Sequence, residues 1–488
     1  MTPGYAIDAL LFVAVVGALA CLVARPRPVL GMAIAVSAVE LGLAASLWVA
    51  VLAKGPVTAA DELFFVDAFS AFHLFVLGLV FLLCSVFARV YFADDGEHGL
   101  TTGAARRFGA LWLGSLAAMI LVLVSNNLGV MWVGMEATTL LTAFLISLHP
   151  NRLSLEAMWK YLLICSVGIA FAFIGTIFAA ASVQGGLGAD ALLWTRLASP
   201  EVRFDPTLMT FAFVFVLVGY GTKAGLAPIH SWLPDAHSQA PAPVSAMFSG
   251  FLLNAALYCI LRYVSLVRHA LGSGFADRLL VFFGALSILV AAGFIVFQRD
   301  AKRLLAYSSV EHLGIITLAY GLGPLGAFAA LFHTLNHSLS KSLAFFAVGR
   351  LGQRYGTHDM RALSGALRAD PVWGLGLLGS LLALIGAAPF AIFMSEYQLL
   401  RAAVGEGAWL VLALFLAAGA VVFIAALRHV IDMAFGDASA AMPKARSTGA
   451  SILLVTGVMG SMLLLGLWMP AWLGEAIGRA ADAAGARL

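Results

Sequence analysis

The chain has 488 residues, of which 62% are hydrophobic and 11% charged, with a formal net charge of +3. A soluble globular protein carries roughly 25% charged residues, so this composition excludes one. The small, scattered excess of positive charge also excludes a nucleic-acid footprint, and no nucleic-acid partner is expected. What remains is an all-α polytopic membrane protein. In lipid the backbone must satisfy its own hydrogen bonds, and each crossing takes about 20 apolar residues.

Taken in chain order, about fourteen apolar runs reach spanning length. They cover 5–24, 30–53, 66–91, 106–125, 127–148, 157–183, 208–229, 240–268, 277–297, 303–322, 324–350, 372–400, 407–434 and 448–474. The first follows "MTPGYAID", which lacks a basic segment, so it reads as a spanning helix and not as a cleaved signal. The closing stretch "EAIGRAADAAGARL" reads as a short interfacial helix. Cys21, Cys84, Cys165 and Cys259 each lie alone in an apolar run, with no CxxC pair, which argues against zinc, iron–sulfur or disulfide roles. Loops on one side of the predicted topology hold about twice as many Lys and Arg as those on the other, which places both termini on the non-cytoplasmic side. Lys302 is counted to the richer, inner set of loops and Arg262 to the sparser, outer set.

A faint internal repeat runs through the chain. "KYLLICSVG" at Lys160–Gly168 parallels "KSLAFFAVG" at Lys341–Gly349. "GLAPIHSW" and "GAAPFAIF" each put an Ala-Pro inside an apolar run, at Pro228 and Pro389, and "GMEATTLL" and "SVEHLGII" each put an acid, Glu136 and Glu311, before one. The related helices run in opposite directions, as in an inverted-topology repeat. The predicted organisation is 1–105 (three N-terminal spans), 106–268 (first repeat), 277–434 (second repeat) and 448–488 (a last span and tail), with broken helices in the seventh and twelfth spans.

Ionisable groups at membrane depth cost about 2.5–3.5 kcal/mol each on insertion scales, so they persist where they face a partner or a cavity. Glu136 sits mid-span with no opposite charge within one turn. Lys160 follows Glu156 by four residues, and reads equally as a relay member or as an ordinary i, i+4 pair at a helix mouth. Lys223 lies among glycines just before Pro228, where a break in the helix can line water. His230, Asp235 and His237 follow the break and either extend a wet path or belong to a loop. Ser308, Ser309, Glu311 and His312 share the tenth span, with Ser308 and His312 on one face; His312 is expected in a polar interior. His333, His337 and Lys341 stand at i, i+4 and i+8, one stripe over about 12 Å. Two histidines at that spacing can hold a metal, but no HExxH, cysteine or carboxylate lies near and Lys341 would repel a cation, so a proton relay is the expected role. Glu396 stands seven residues beyond Pro389.

"KAGLAPIHSWLPDAHSQAPAPVSA", with "MWVGMEATTLLTAFLISL", "WKYLLICSVGIAFAFIGT", "KRLLAYSSVEHLGII" and "LNHSLSKSLAFFAVGRL", carries a resemblance over about residues 60–440. The chain resembles the antiporter-like subunits of the complex I superfamily, which includes Mrp-type antiporters and membrane-bound hydrogenases. It is most similar to the F-type membrane subunit of hydrogenase-4 and formate hydrogenlyase complexes. The resemblance implies fourteen transmembrane helices with two inverted five-helix repeats. The family's glutamate of helix 5 falls on Glu136, its lysine of broken helix 7 on Lys223 and its charge of helix 12 on Glu396, as in the glutamate-bearing M-type. Asn254 stands where relatives often carry Lys or His; Asn cannot titrate, and His230 or His237 are the candidates to stand in. The long lateral helix of the L-type has no counterpart here.

The implied function is proton translocation through buried Glu, Lys and His, coupled to redox chemistry in partner subunits of a respiratory hydrogenase or NADH dehydrogenase-like complex. The implied place is the inner membrane of a bacterial or archaeal cell. Partners would be other membrane subunits and a peripheral hydrogenase or dehydrogenase arm, with iron–sulfur, nickel–iron or flavin centres there and no cofactor in this chain. The alternatives are an Mrp-type Na⁺/H⁺ antiporter subunit and a non-transporting membrane scaffold.

Overall fold

The computed structural model describes residues 3–93, 99–436 and 447–485. In chain order the helices of eight residues or more are α1 (Pro3–Val23), α2 (Pro26–Lys54), α3 (Ala68–Tyr91), α4 (Thr102–Val124), α5 (Leu128–Ile146), α6 (Arg152–Ala181), α7 (Pro206–Ala224), α8 (Trp232–Gln239), α9 (Ala242–Leu271) and α10 (Ser273–Ile295). They continue as α11 (Ala301–Tyr320), α12 (Gly323–Tyr355), α13 (Pro371–Leu384), α14 (Ala391–Gly405), α15 (Trp409–Phe435), α16 (Gly449–Leu467) and α17 (Ala471–Ala483). Between α2 and α3 lies an antiparallel hairpin of β1 (Val57–Ala59) and β2 (Phe64–Val66), which the sequence reading did not anticipate. The predicted C-terminal helix exists as α17; the last three residues of that tail lie outside the described residues.

Starts and stops follow local chemistry. Asn127, Asn151, Asp205, Asp300, Asp370 and Thr448 each cap the helix that follows by accepting a backbone N–H. Gly225 (φ +77°) and Gly386 (φ +70°) take the left-handed conformation that ends α7 and follows α13, each three residues before a cis Ala–Pro bond at Pro228 or Pro389. The broken ends keep their hydrogen bonds: the Ala227 amide donates to Ser287 Oγ on α10 (2.9 Å), and Trp232 Nε1 donates to the Thr222 carbonyl (2.8 Å).

By length and hydropathy, eleven of the described helices can cross a membrane. The predicted spans 303–322, 324–350 and 372–400 form α11, α12 and the pair α13–α14, which are not among the eleven. α9, α11 and α12 are enclosed along nearly their whole length, whereas α1, α2, α15 and α16 present broad apolar faces outward. Small residues let neighbouring helices close up. A Cβ on Gly168 of α6 would come within 2.7 Å of Thr222 on α7, and one on Gly284 of α10 within 2.5 Å of the Leu318 amide on α11.

Of the cations counted to loops, two are buried within helices. Arg262 lies within α9, as the predicted span 240–268 already required although the loop count placed it outside, and it is 5% exposed. Lys302 is 3% exposed in the first turn of α11 and donates to the Ser238 (3.1 Å) and Ala240 (2.5 Å) carbonyls. These carbonyls close α8, where a helix leaves acceptors unpaired and a cation is favoured.

Candidate ion-translocation site

The first cluster joins α5, α6 and α7. Lys223 stands two residues before the break, fully buried, and makes no salt bridge among the described residues. Its Nζ donates to Thr139 Oγ1 (2.9 Å) and to the Tyr161 hydroxyl, and it sits 4.5 Å from the centre of the Tyr161 ring. The Tyr161 hydroxyl also bonds Thr142 Oγ1 at 2.6 Å. One turn before Thr139, the half-buried Glu136 accepts from Ser166 Oγ (2.8 Å), while its Oε2 has no partner. An ammonium without a counter-ion is thus solvated by hydroxyls and a ring face, with a carboxylate in electrostatic reach.

Lys160 is not in this cluster. It is exposed, and pairs with Glu156 (2.7 Å) and Asp235 (3.1 Å); Asp235 also binds Arg303 (2.6 Å). These groups line an open pocket of about 230 Å³ with Ser238 and Gln239. The "DAH" segment after the break is therefore helix α8, with Asp235 at the mouth and His237 inward. His237 is fully buried with neither ring nitrogen bonded, stacked on Phe345 of α12 at 5.0 Å. His230 is buried beside Phe294 and Tyr307.

The second cluster joins α11, α12 and the break between α13 and α14. His312 Nδ1 lies 2.9 Å from His333 Nε2, and His333 Nδ1 lies 2.9 Å from Ser395 Oγ on α14. The Ser395 hydroxyl donates to the Ile392 carbonyl, so His333 Nδ1 carries the proton and its Nε2 accepts from His312. The His337 ring lies 5.2 Å from that of His312, with both nitrogens unbonded. Lys341 donates to the Leu305 carbonyl (2.8 Å). Glu311, with Oε2 unpaired, and Glu396 both line a cavity of about 470 Å³ between α10, α11, α13–α14 and α15. Gly386 makes room for Glu396: a Cβ there would overlap its carboxylate.

Between the clusters runs α9, whose turn Phe248–Leu252 is π-helical, a distortion frequent at functional sites. The Gly250 carbonyl in that turn accepts from Ser338 Oγ (2.6 Å) on α12 and from Asn254 Nδ2 (3.2 Å).

The structure thus brings Lys223 near Glu136, gathers His312, His333, His337 and Lys341 on and beside α12, and sets Glu396 with Glu311 on the cavity between α10, α11, α13–α14 and α15. It leaves Lys160 at the surface. Sequence reading missed Thr139, Tyr161, Ser166 and Ser395, because hydroxyls are common in membrane helices and their partners lie on other helices. It also missed Glu40, buried in α2 with neither carboxylate oxygen bonded, although an acid inside the apolar run 30–53 was a readable signal. Among the described residues no group of three or more His, Cys, Asp or Glu could hold a metal ion.

The profile of the family described as NADH:quinone oxidoreductase/Mrp antiporter, TM, matches residues 125–422, the stretch that contains both clusters. The chain belongs to this family. It is 40% identical over 382 residues to the "Hydrogenase-4 component F homolog" of Methylacidiphilum infernorum, covering 77% of this chain and 79% of that one. Respiratory complex I from Thermus thermophilus contains a chain of the same fold, at 27% identity and TM-score 0.77, covering 95% of this chain and 97% of that one. A chain of an archaeal membrane-bound sulfane sulfur reductase superposes with TM-score 0.87 at 23% identity, covering 98% and 97%, which is a likeness of fold. This antiporter-like chain is accordingly a multi-pass membrane subunit of the complex I, Mrp and hydrogenase superfamily, and its structural neighbours sit in multisubunit membrane complexes.

Proposed function

We propose that this chain translocates protons as one membrane subunit of a respiratory hydrogenase or NADH dehydrogenase-like complex. It would sit in the inner membrane of a bacterial or archaeal cell, in two inverted five-helix repeats within a fourteen-helix arrangement. The single observation that carries the reading is Lys223, a buried ammonium held by Thr139 and Tyr161 with Glu136 one turn away and no ion pair of its own. Such a group is poised between charged and neutral, so a neighbouring charge can tip it. The coupled groups Glu136, Lys223, His237, His312, His333, His337, Lys341, Glu311 and Glu396 would titrate as a set. The hydrogen-bond order His312 on α11 to His333 on α12 to Ser395 on α14 supports transfer across α12 towards the second break. Redox centres and the peripheral arm belong to partner subunits, by likeness to the hydrogenase-4 relative.

The test is turnover-driven proton uptake by the purified complex in liposomes. Lys223→Gln should abolish most pumping while assembly stays normal. Undiminished pumping by an assembled Lys223→Gln complex would overturn the reading.

A further inference from the structure

The polar face of α9 continues beyond the two clusters. Asn254, Tyr258 and Arg262 stand at i, i+4 and i+8, one stripe over about 12 Å. Its inner end meets the histidine helix: Asn254 Nδ2 lies 3.5 Å from Ser338 Oγ, and Ser338 follows His337. Its other end is closed near the membrane face that carries the β1–β2 hairpin. There Asp67 binds the Arg262 guanidinium through both oxygens, at 2.7 Å each. Arg262 Nη2 also donates to Ser70 Oγ (2.5 Å) and Nε to the Tyr258 hydroxyl (2.9 Å). That hydroxyl lies 2.9 Å from Ser70 Oγ and 3.0 Å from the Leu123 carbonyl. The rings of Phe65, Phe69, Tyr258 and Trp194 surround the guanidinium, their centres between 4.7 and 5.9 Å away. Asp67 and Arg262 are at most 5% exposed.

Stability alone is a weak reason for such a pair, since a buried ion pair is often replaceable by apolar residues of similar volume without loss. A guanidinium does not release its proton, so Arg262 is no relay member; Asp67 balances its charge within the pair, while its Nε edge presents a fixed cation to Tyr258 on the stripe. A fixed arginine in a narrow polar passage is an electrostatic barrier to protons and cations. We propose that Arg262, positioned by Asp67, is the cation barrier at the hairpin end of this chain. It stops protons or cations gathered near His337 from running passively along the α9 stripe to that face. This rests on the translocation reading above. Asp67 acts through Arg262 and is a positioning residue.

The experiment uses the purified complex with the full-length chain, in liposomes holding a pH dye, under an imposed potassium diffusion potential and without redox substrate. Wild type and Arg262→Lys, which keeps the charge, should be equally tight. The doubly neutral pair Asp67→Asn with Arg262→Gln, which leaves no lone buried charge, should conduct protons at least several-fold faster. A second neutral pair, Asp67→Leu with Arg262→Met, serves if the first does not assemble. The proposal is overturned if an assembled neutral pair is as tight as wild type, or if Arg262→Lys leaks as much as the neutral pair. It is equally overturned if neither neutral pair assembles while Arg262→Lys does, since the pair is then structural. Turnover-driven pumping measured in the same vesicles separates the two ideas: a wild type that is tight but does not pump refutes translocation and leaves the leak comparison readable.

Discussion

Lys223 shows how little holds a functional charge at membrane depth. Two hydroxyls and a ring face replace water, with no carboxylate in contact. Hydrogen bonds to a charged group contribute about 1.5–3 kcal/mol each, so losing one shifts the protonation balance by roughly tenfold or more. Tyr161→Phe and Thr139→Val, both near-isosteric, should each cut proton pumping by about that factor while complex assembly, read by native gel, is retained. Lys160 is the contrast. Its partners Glu156 and Asp235 stand in an open pocket, and solvent screens them. Lys160→Gln should leave pumping and assembly close to wild type; a loss comparable to that of Lys341→Gln would show the mouth network to be part of the path.

At the scale of the element, the two breaks place their charges differently. Before the first, Lys223 occupies the last turn of α7; after the second, Glu396 on α14 folds back over Gly386. Gly386→Ala therefore meets two obstacles, a left-handed backbone (φ +70°) and the Glu396 carboxylate. It should destabilise by more than ~1 kcal/mol, as Ala forced into a positive φ does, read as a lowered Tm in detergent, and should reduce pumping. Gly419, which has open space around it, is the control, and Gly419→Ala should be neutral. Ser395→Ala should act on the same element by freeing His333 from the orientation that Ser395 imposes, with pumping reduced and Tm nearly unchanged.

In the whole molecule the most polar helices are the most enclosed. α11 and α12 fall short of the hydropathy or charge limits for a spanning helix and are covered by neighbours that face outward with apolar side chains. An arrangement of this kind needs the surrounding helices to keep lipid away from Glu311, His312, His333 and Lys341. A subunit that works only within its complex should show no cation-driven proton flux when reconstituted alone. Robust flux from the isolated chain in vesicles would instead favour a self-sufficient Na⁺/H⁺ antiporter.

Much of this was legible in the chain itself. Hydropathy gave the helices to within a few residues, because in lipid an apolar run has hardly any alternative to a helix. Gly225 with Pro228, and Gly386 with Pro389, marked the breaks because their backbone chemistry is local. Glu136, Lys223 and the α12 stripe stood out because charge is costly at that depth. Tertiary structure alone decided which charges are buried and what they touch. Lys160 and Lys341 open the similar stretches "KYLLICSVG" and "KSLAFFAVG", yet one meets solvent and the other is enclosed. Arg262 looked like a loop cation and is boxed by residues of α3, the hairpin and the 182–205 connection. The physical reason is that a side chain's cost at membrane depth is written in its own identity, whereas its partners are set by how separate helices cross.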